Sequence, residues 1–115
     1  MKVIVIVNDS PWGSVLPVAA LRLVRAMLSA GQAIDAVFFR GDGAYNARPG
    51  RGSDTGTPDL YQQWASLAGK HGFPLLVCSA SAARRLDSAP GHGFREAGLA
   101  DVMERIEACD RVVSF

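Results

Sequence analysis

The sequence predicts an α/β fold, a three-layer sandwich around a mostly parallel sheet, on three observations. Apolar runs of strand length alternate with segments of helical period, most connections between them are short, and the first apolar run is β-branched without polar alternation. A strand of that kind is covered on both faces, as in parallel sheets. The 115 residues, 49% hydrophobic and 20% charged, predict one domain over 1–115, too short for two sizeable cores. No internal repeat or linker divides them.

Lys2 to Val7 is the first strand, and Asn8 to Ser14 the loop that leaves it. From Val15 to about Ala30, Leu16, Ala20, Leu23, Val24 and Met27 recur at helical spacing, with Pro17 tolerated in the first turn and Gly31 as the stop. Only Arg22, Arg25 and Ser29 form a polar stripe. The remaining Val15, Val18, Leu21 and Leu28 exceed what one sheet covers, so this helix is expected at a subunit interface. Ala33 to Phe39 is the second strand. The 18 residues from Gly41 to Pro58 hold five glycines, two prolines and no periodicity. They predict a long loop, mobile without a partner, serving either as a cover over a nearby site or as an idle connection. Thr57 and Pro58 open the next helix, with Leu60, Trp64, Leu67 and Ala68 on its buried face and Gly72 at its end. Pro74 to Val77 is a third strand, Ser79 to about Leu86 a short helix, and Asp87 to Arg95 a second loop. Leu99, Val102, Met103 and Ile106 mark a last amphipathic helix before a closing strand, Arg111 to Phe115.

Composition narrows the function. Twelve basic residues against eleven acidic ones give a net charge of +1, no surplus with which to hold a phosphate backbone, so direct nucleic-acid binding is disfavoured. Ten of the twelve basic residues are arginine, a bias that fixed planar contacts and high-GC codon usage both produce. The run Val3 to Val7 is too short for a membrane span or a signal peptide and has no cleavage site behind it. Two cysteines, Cys78 and Cys109, make no disulfide framework and fit no metal motif, so the expected setting is reducing and cytoplasmic.

In a parallel sheet, ligands and catalytic groups gather at the carboxyl ends of the strands, here the loops after Val7, Phe39 and Val77. Cys78 stands where Leu75, Leu76 and Val77 run out and Ser79 to Ala83 begin a helix. Unpaired amides and the helix dipole stabilise a thiolate there, and small neighbours leave room for a second sulfur. A buried cysteine acting as a small hydrophobe is the competing reading. Cys109, after the last helix and at the opposite end of the sheet, reads as packing. His71, at a helix carboxyl end, suits the dipole's negative pole; His92, between glycines, is within chain reach of a strand-end thiolate but reads more simply as a solvated loop residue. Asn8 to Ser14 resembles a phosphate cradle only weakly, since it holds one glycine, Gly13, beside the bulky Pro11 and Trp12. Asp42, between Gly41 and Gly43, suggests a turn more than a metal carboxylate.

The segments Phe38 to Ala47, Leu76 to Ala80 with Arg84 and Arg85 behind it, and Cys109 to Phe115, together with the first strand and its proline-glycine loop, resemble the DsrE/TusD sulfurtransferase family over nearly the whole chain. The chain departs from the family between Leu86 and Phe94, where it is shorter and lacks the glycine that follows the two arginines. The resemblance implies a DsrE-like fold with flavodoxin-like layering and a cytoplasmic sulfur-relay subunit that carries sulfane sulfur as a persulfide on the family's cysteine, here Cys78. It also implies a hexamer of related subunits, homo- or hetero-oligomeric, a TusA-type donor and a TusE/DsrC-type acceptor. The sulfur is then destined for tRNA thiolation or for sulfur oxidation. Thiolate attack on a donor persulfide, then transfer to an acceptor thiol, needs no metal or organic cofactor. Two alternatives stand beside this reading: a non-catalytic assembly subunit with an inert Cys78, and a flavin- or nucleotide-binding module using the loop after the first strand.

Overall fold

The computed structural model describes residues 1–12, 14–49 and 59–115. Its strands are β1 (Lys2–Val7), β2 (Ala33–Phe39), β3 (Leu75–Cys78), β4 (Phe94–Ala97) and β5 (Arg111–Ser114). They form one sheet in the order β4-β3-β2-β1-β5, with every neighbouring pair parallel. The helices are α1 (Leu16–Ser29), α2 (Leu60–His71), α3 (Ser79–Arg85) and α4 (Leu99–Ala108).

The unbroken apolar run of β1 has its cause in the layers. Val3, Val5 and Val7 join the core beneath α1 and α2, together with Phe39, Leu75 and Trp64. Ile4 and Ile6 point to the other face, where Phe38, Leu76 and Val102 of α4 meet them. Both faces are therefore dry, and each large apolar side chain so covered contributes roughly 1.5–3 kcal/mol. The α/β three-layer sandwich expected from the sequence is the fold observed.

Helix α1 spans Leu16–Ser29 and buries Pro17, Ala20, Leu21 and Val24. Its apolar surplus is smaller than the sequence suggests. Leu21 belongs to the chain's own core and Val18 and Leu28 pack against that core. The reason is that α1 also meets α2, where Arg25 Nη2 donates to Gln63 Oε1 at 3.3 Å. Val15, 78% exposed, and Leu16 remain uncovered.

Three local expectations are corrected. First, Gly41–Ala47 is a 3-10 helix with Gly43, Ala44, Asn46 and Ala47 buried, where the sequence suggests only loop. It exists because Gly43 passes so close to the end of β1 that a Cβ there would overlap the Val7 carbonyl. The buried Asn46 amide adds donations to the Asp9 and Gly43 carbonyls at 3.1 and 2.9 Å. Residues 50–58 of the expected mobile loop lie outside the described residues. Second, α2 is capped by Asp59, whose carboxylate accepts from Gln62 N at 3.2 Å; the expected opening residues Thr57 and Pro58 lie outside the described residues. Gly72 closes α2 at φ +78°, a conformation that glycine adopts without strain. Third, Phe94–Ala97 is a fourth strand, beside β3, where the sequence suggests the end of a loop. Its pairing with β3 aligns Cys78 with Ala97.

Candidate functional site: the Cys78 cleft

Cys78 is at once the last residue of β3 and the residue that precedes α3, with φ −57° and ψ 122°. Extended backbone carries Leu75, Leu76 and Val77 into the core, and the change to helical geometry at Ser79 turns the sulfur toward the carboxyl edge of the sheet. It is half-buried and free of any disulfide.

Around that sulfur the chain gathers groups from three elements. Ser81, one turn into α3, is 8% exposed. Its Oγ accepts from the Gly41 N–H at 2.8 Å. That donor occupies a lone pair and leaves the Ser81 hydroxyl proton available to the sulfur. Arg40 follows the end of β2. The neutral thiol closes no capping hydrogen bond on α3. Ionisation changes the balance: burial by itself raises the thiol's pKa, but the Ser81 hydroxyl, the N–H groups of Ser81 and Ala80, and the Arg40 charge outweigh it and lower the pKa of Cys78 below the ordinary 9.0.

The sulfur opens into a cleft of about 480 Å³, with Phe38 at its base, Leu99 from α4 on one side and Arg40, Arg84 and Arg85 around it. Arg85 Nε is held by Asp42 Oδ1 at 2.9 Å. That ion pair and the Gly41–Ser81 hydrogen bond fasten the 3-10 helix to α3, so the floor of the cleft is fixed from two sides. A thiolate so placed can attack an electrophilic sulfur and leave again as a thiolate.

The other sequence candidates fall elsewhere. Cys109 ends α4 at the opposite edge of the sheet and packs against the Ile4 and Phe38 core. Burial first, and then the Asp35 carboxylate, raise its pKa above 9.0. His71 is the last residue of α2. His92 does not line the Cys78 cleft; its carbonyl accepts from the Tyr61 hydroxyl at 3.2 Å. In the loop after β1, Asn8 Nδ2 donates to Ser114 Oγ and Phe115 O at 2.9 and 2.8 Å, and the Ser14 hydroxyl donates to Asp9 Oδ2 at 2.9 Å. Those polar groups are spent on the chain itself, which weakens the phosphate-cradle reading; Gly13 lies outside the described residues. Asp42 is paired with Arg85. A cleft of comparable volume, about 430 Å³, lies along α4 and is lined by Asp35, Arg95, Asp101, Glu104 and Arg105, with no nucleophile among them. Asp35 there is paired with Arg105 at 3.1 Å and Lys2 at 3.3 Å, a tie between α4 and the amino end of the sheet.

Arg40, Ser81 and Leu99 stand at the site without having been singled out by sequence reasoning. A hydroxyl three residues after a helix-opening cysteine was a readable signal for Ser81. Nothing local marks Arg40 or Leu99; the sheet order brings them to Cys78.

Comparison with known proteins gives a consistent answer. The sequence profile of the DsrE/DsrF-like family matches residues 1–115. The chain is similar to the sulfurtransferase TusD of Cronobacter sakazakii, at 30% identity over 128 residues, and to that of Salmonella newport, at 32% over 128 residues, covering 100% of both chains in each case. Among solved structures it is similar to the ychN protein from E. coli, with a TM-score of 0.87, 19% identity, and coverage of 100% of this chain and 99% of that one.

Proposed function

The chain belongs to the DsrE/DsrF-like family, and on that premise we propose that it is a sulfur-relay sulfurtransferase subunit carrying sulfane sulfur as a persulfide on Cys78. The observation that carries the proposal is the placement of Cys78: a thiol with lowered pKa, backed by Ser81 and Arg40, open to a cleft at the carboxyl edge of the sheet. Relatives named sulfurtransferase TusD, aligned over the full length of both chains, support the transferase reading.

Two exchanges make up the cycle. The Cys78 thiolate attacks the outer sulfur of a donor persulfide; a new sulfur–sulfur bond forms, the donor's own bond breaks, and its electron pair leaves with the donor thiolate. An acceptor thiolate then attacks the outer sulfur on Cys78, and the Cys78 thiolate departs. No electron is gained or lost overall. The groups that favour the Cys78 anion do so at both ends of the cycle, first by populating the nucleophile and then by improving the leaving group. Donor and acceptor are protein thiols of the TusA and TusE/DsrC type, and related subunits complete the assembly. The exposed Val15, Leu16 and Val112 support such an association.

Incubation with a persulfide donor should add about 32 Da, one sulfur atom, to Cys78. The increment should be absent in Cys78→Ser. Equal loading of Cys109 would overturn the assignment.

A further inference from the structure

The mouth of the Cys78 cleft is apolar and cationic together. Leu99, in the first turn of α4, lines it and is 67% exposed; Met103, four residues on and therefore on the same side of the helix, is 50% exposed. Such side chains each gain roughly 1.5–3 kcal/mol when covered; Leu99 stands in water at the cleft itself and Met103 extends the apolar strip one turn further along α4. Of the three arginines, Arg85 is engaged by Asp42. Arg40 and Arg84 are exposed and make no ion pair with a carboxylate among the described residues. In a chain of net charge +1, two unneutralised guanidinium groups at one cleft are a local excess.

These features choose among occupants. A small neutral thiol would leave the Leu99–Met103 strip uncovered. A nucleic acid needs a row of cations following its phosphates, whereas α4 beside the cleft bears Asp101, Glu104 and Glu107. A protein segment with one carboxylate and one apolar side chain near its thiol satisfies both the arginines and the strip, and guanidinium groups take carboxylates in bidentate geometry. We infer that the Cys78 cleft is a docking site for a partner segment whose cysteine is flanked by an acidic residue, met by Arg40 and Arg84, and by an apolar residue seated on Leu99 and Met103. The inference rests on the reading of Cys78 as the sulfur-handling thiol.

The test uses the full chain carrying Cys109→Ser and three leucine-containing peptides whose single cysteine is flanked by Glu, Gln or Lys, each activated as a 2-pyridyl disulfide. The Cys78 thiolate attacks the peptide sulfur, a mixed disulfide forms, and pyridine-2-thione leaves and is read by its absorbance. At low ionic strength the Glu peptide should react on the order of tenfold faster than the Lys peptide, with Gln between them. The spread should collapse in about 0.5 M salt, because screening removes it. In Arg40→Gln/Arg84→Gln it should shrink to about twofold or less; ratios within one variant cancel any change in the thiolate itself. Leu99→Ala should slow all three peptides severalfold more than it slows 2-hydroxyethyl 2-pyridyl disulfide, a small neutral probe, the ratio within the variant cancelling any change at the sulfur itself. Equal rates for the three peptides at low salt overturn the docking inference, as does protection of Cys78 by a short oligouridylate with no ordering of the peptides. Failure of the neutral probe to react at Cys78 defeats instead the sulfur-handling reading beneath it.

Discussion

At Cys78 the Ser81 hydroxyl, two backbone amides and the Arg40 charge all act on the ionised sulfur, so reactivity there should rise with pH earlier than at Cys109. The sign follows from which form is favoured. Burial opposes both thiolates, but at Cys78 it is outweighed, whereas at Cys109 the Asp35 carboxylate adds to it. Iodoacetamide labelling followed by mass spectrometry should show the Cys78 midpoint below the ordinary 9.0 and that of Cys109 above it, with Cys78 dominating at neutral pH. Ser81→Ala should raise the Cys78 midpoint and slow its labelling at neutral pH by about fivefold to tenfold, since hydrogen bonds to charged acceptors are the strong ones. Ser81→Thr keeps the hydroxyl and should retain most of the wild-type rate. An unchanged midpoint in Ser81→Ala would show that the hydroxyl serves only the Gly41 amide.

Among the elements, the 3-10 helix Gly41–Ala47 is the one on which the cleft depends most. Gly43→Ala places a methyl group against the Val7 carbonyl, where backbone and not a flexible side chain must yield. A loss of roughly 3 kcal/mol or more in urea unfolding is expected, by overpacking against rigid structure. The same helix shows where legibility in the sequence ended. Strands β1, β2 and β3 were readable because burial on both faces makes them continuous apolar runs, and helices α1, α2 and α4 because burial on one face imposes a period on their side chains. Cys78 was readable because a strand end followed by small helix formers fixes its location. Glycine-rich Gly41–Ala47 carries no period; its burial comes from contact with β1, residues far away in sequence. Strand β4, Phe-Arg-Glu-Ala, is short, has no β-branched residue, and is held by β3 alone at the sheet's edge. Arg40 and Leu99 become site residues only through that sheet order, which no local pattern encodes.

For the whole molecule, the two faces of the sheet are unequal. One carries α1 and α2, which bury Leu21, Val24, Leu60 and Trp64; the other is covered by α4, whose own buried residue is Val102. Native-state hydrogen exchange should therefore find α4 opening at a lower free energy than β1, β2 or α1. Equal protection across both layers would contradict that picture. Because Leu99 lies on α4 and lines the Cys78 cleft, the same opening would move one wall of that cleft. The cleft of about 480 Å³ over Cys78 offers donor and acceptor a single thiol, so the proposed cycle admits one partner at a time. Steady-state kinetics should reflect this directly: donor and acceptor must alternate, so double-reciprocal plots at several fixed acceptor concentrations should be parallel, and excess acceptor should inhibit by occupying the unloaded subunit. Lines that intersect to the left of the axis would mean that both partners reach the sulfur together. In the relay, throughput would then be set by how quickly a spent partner vacates the cleft.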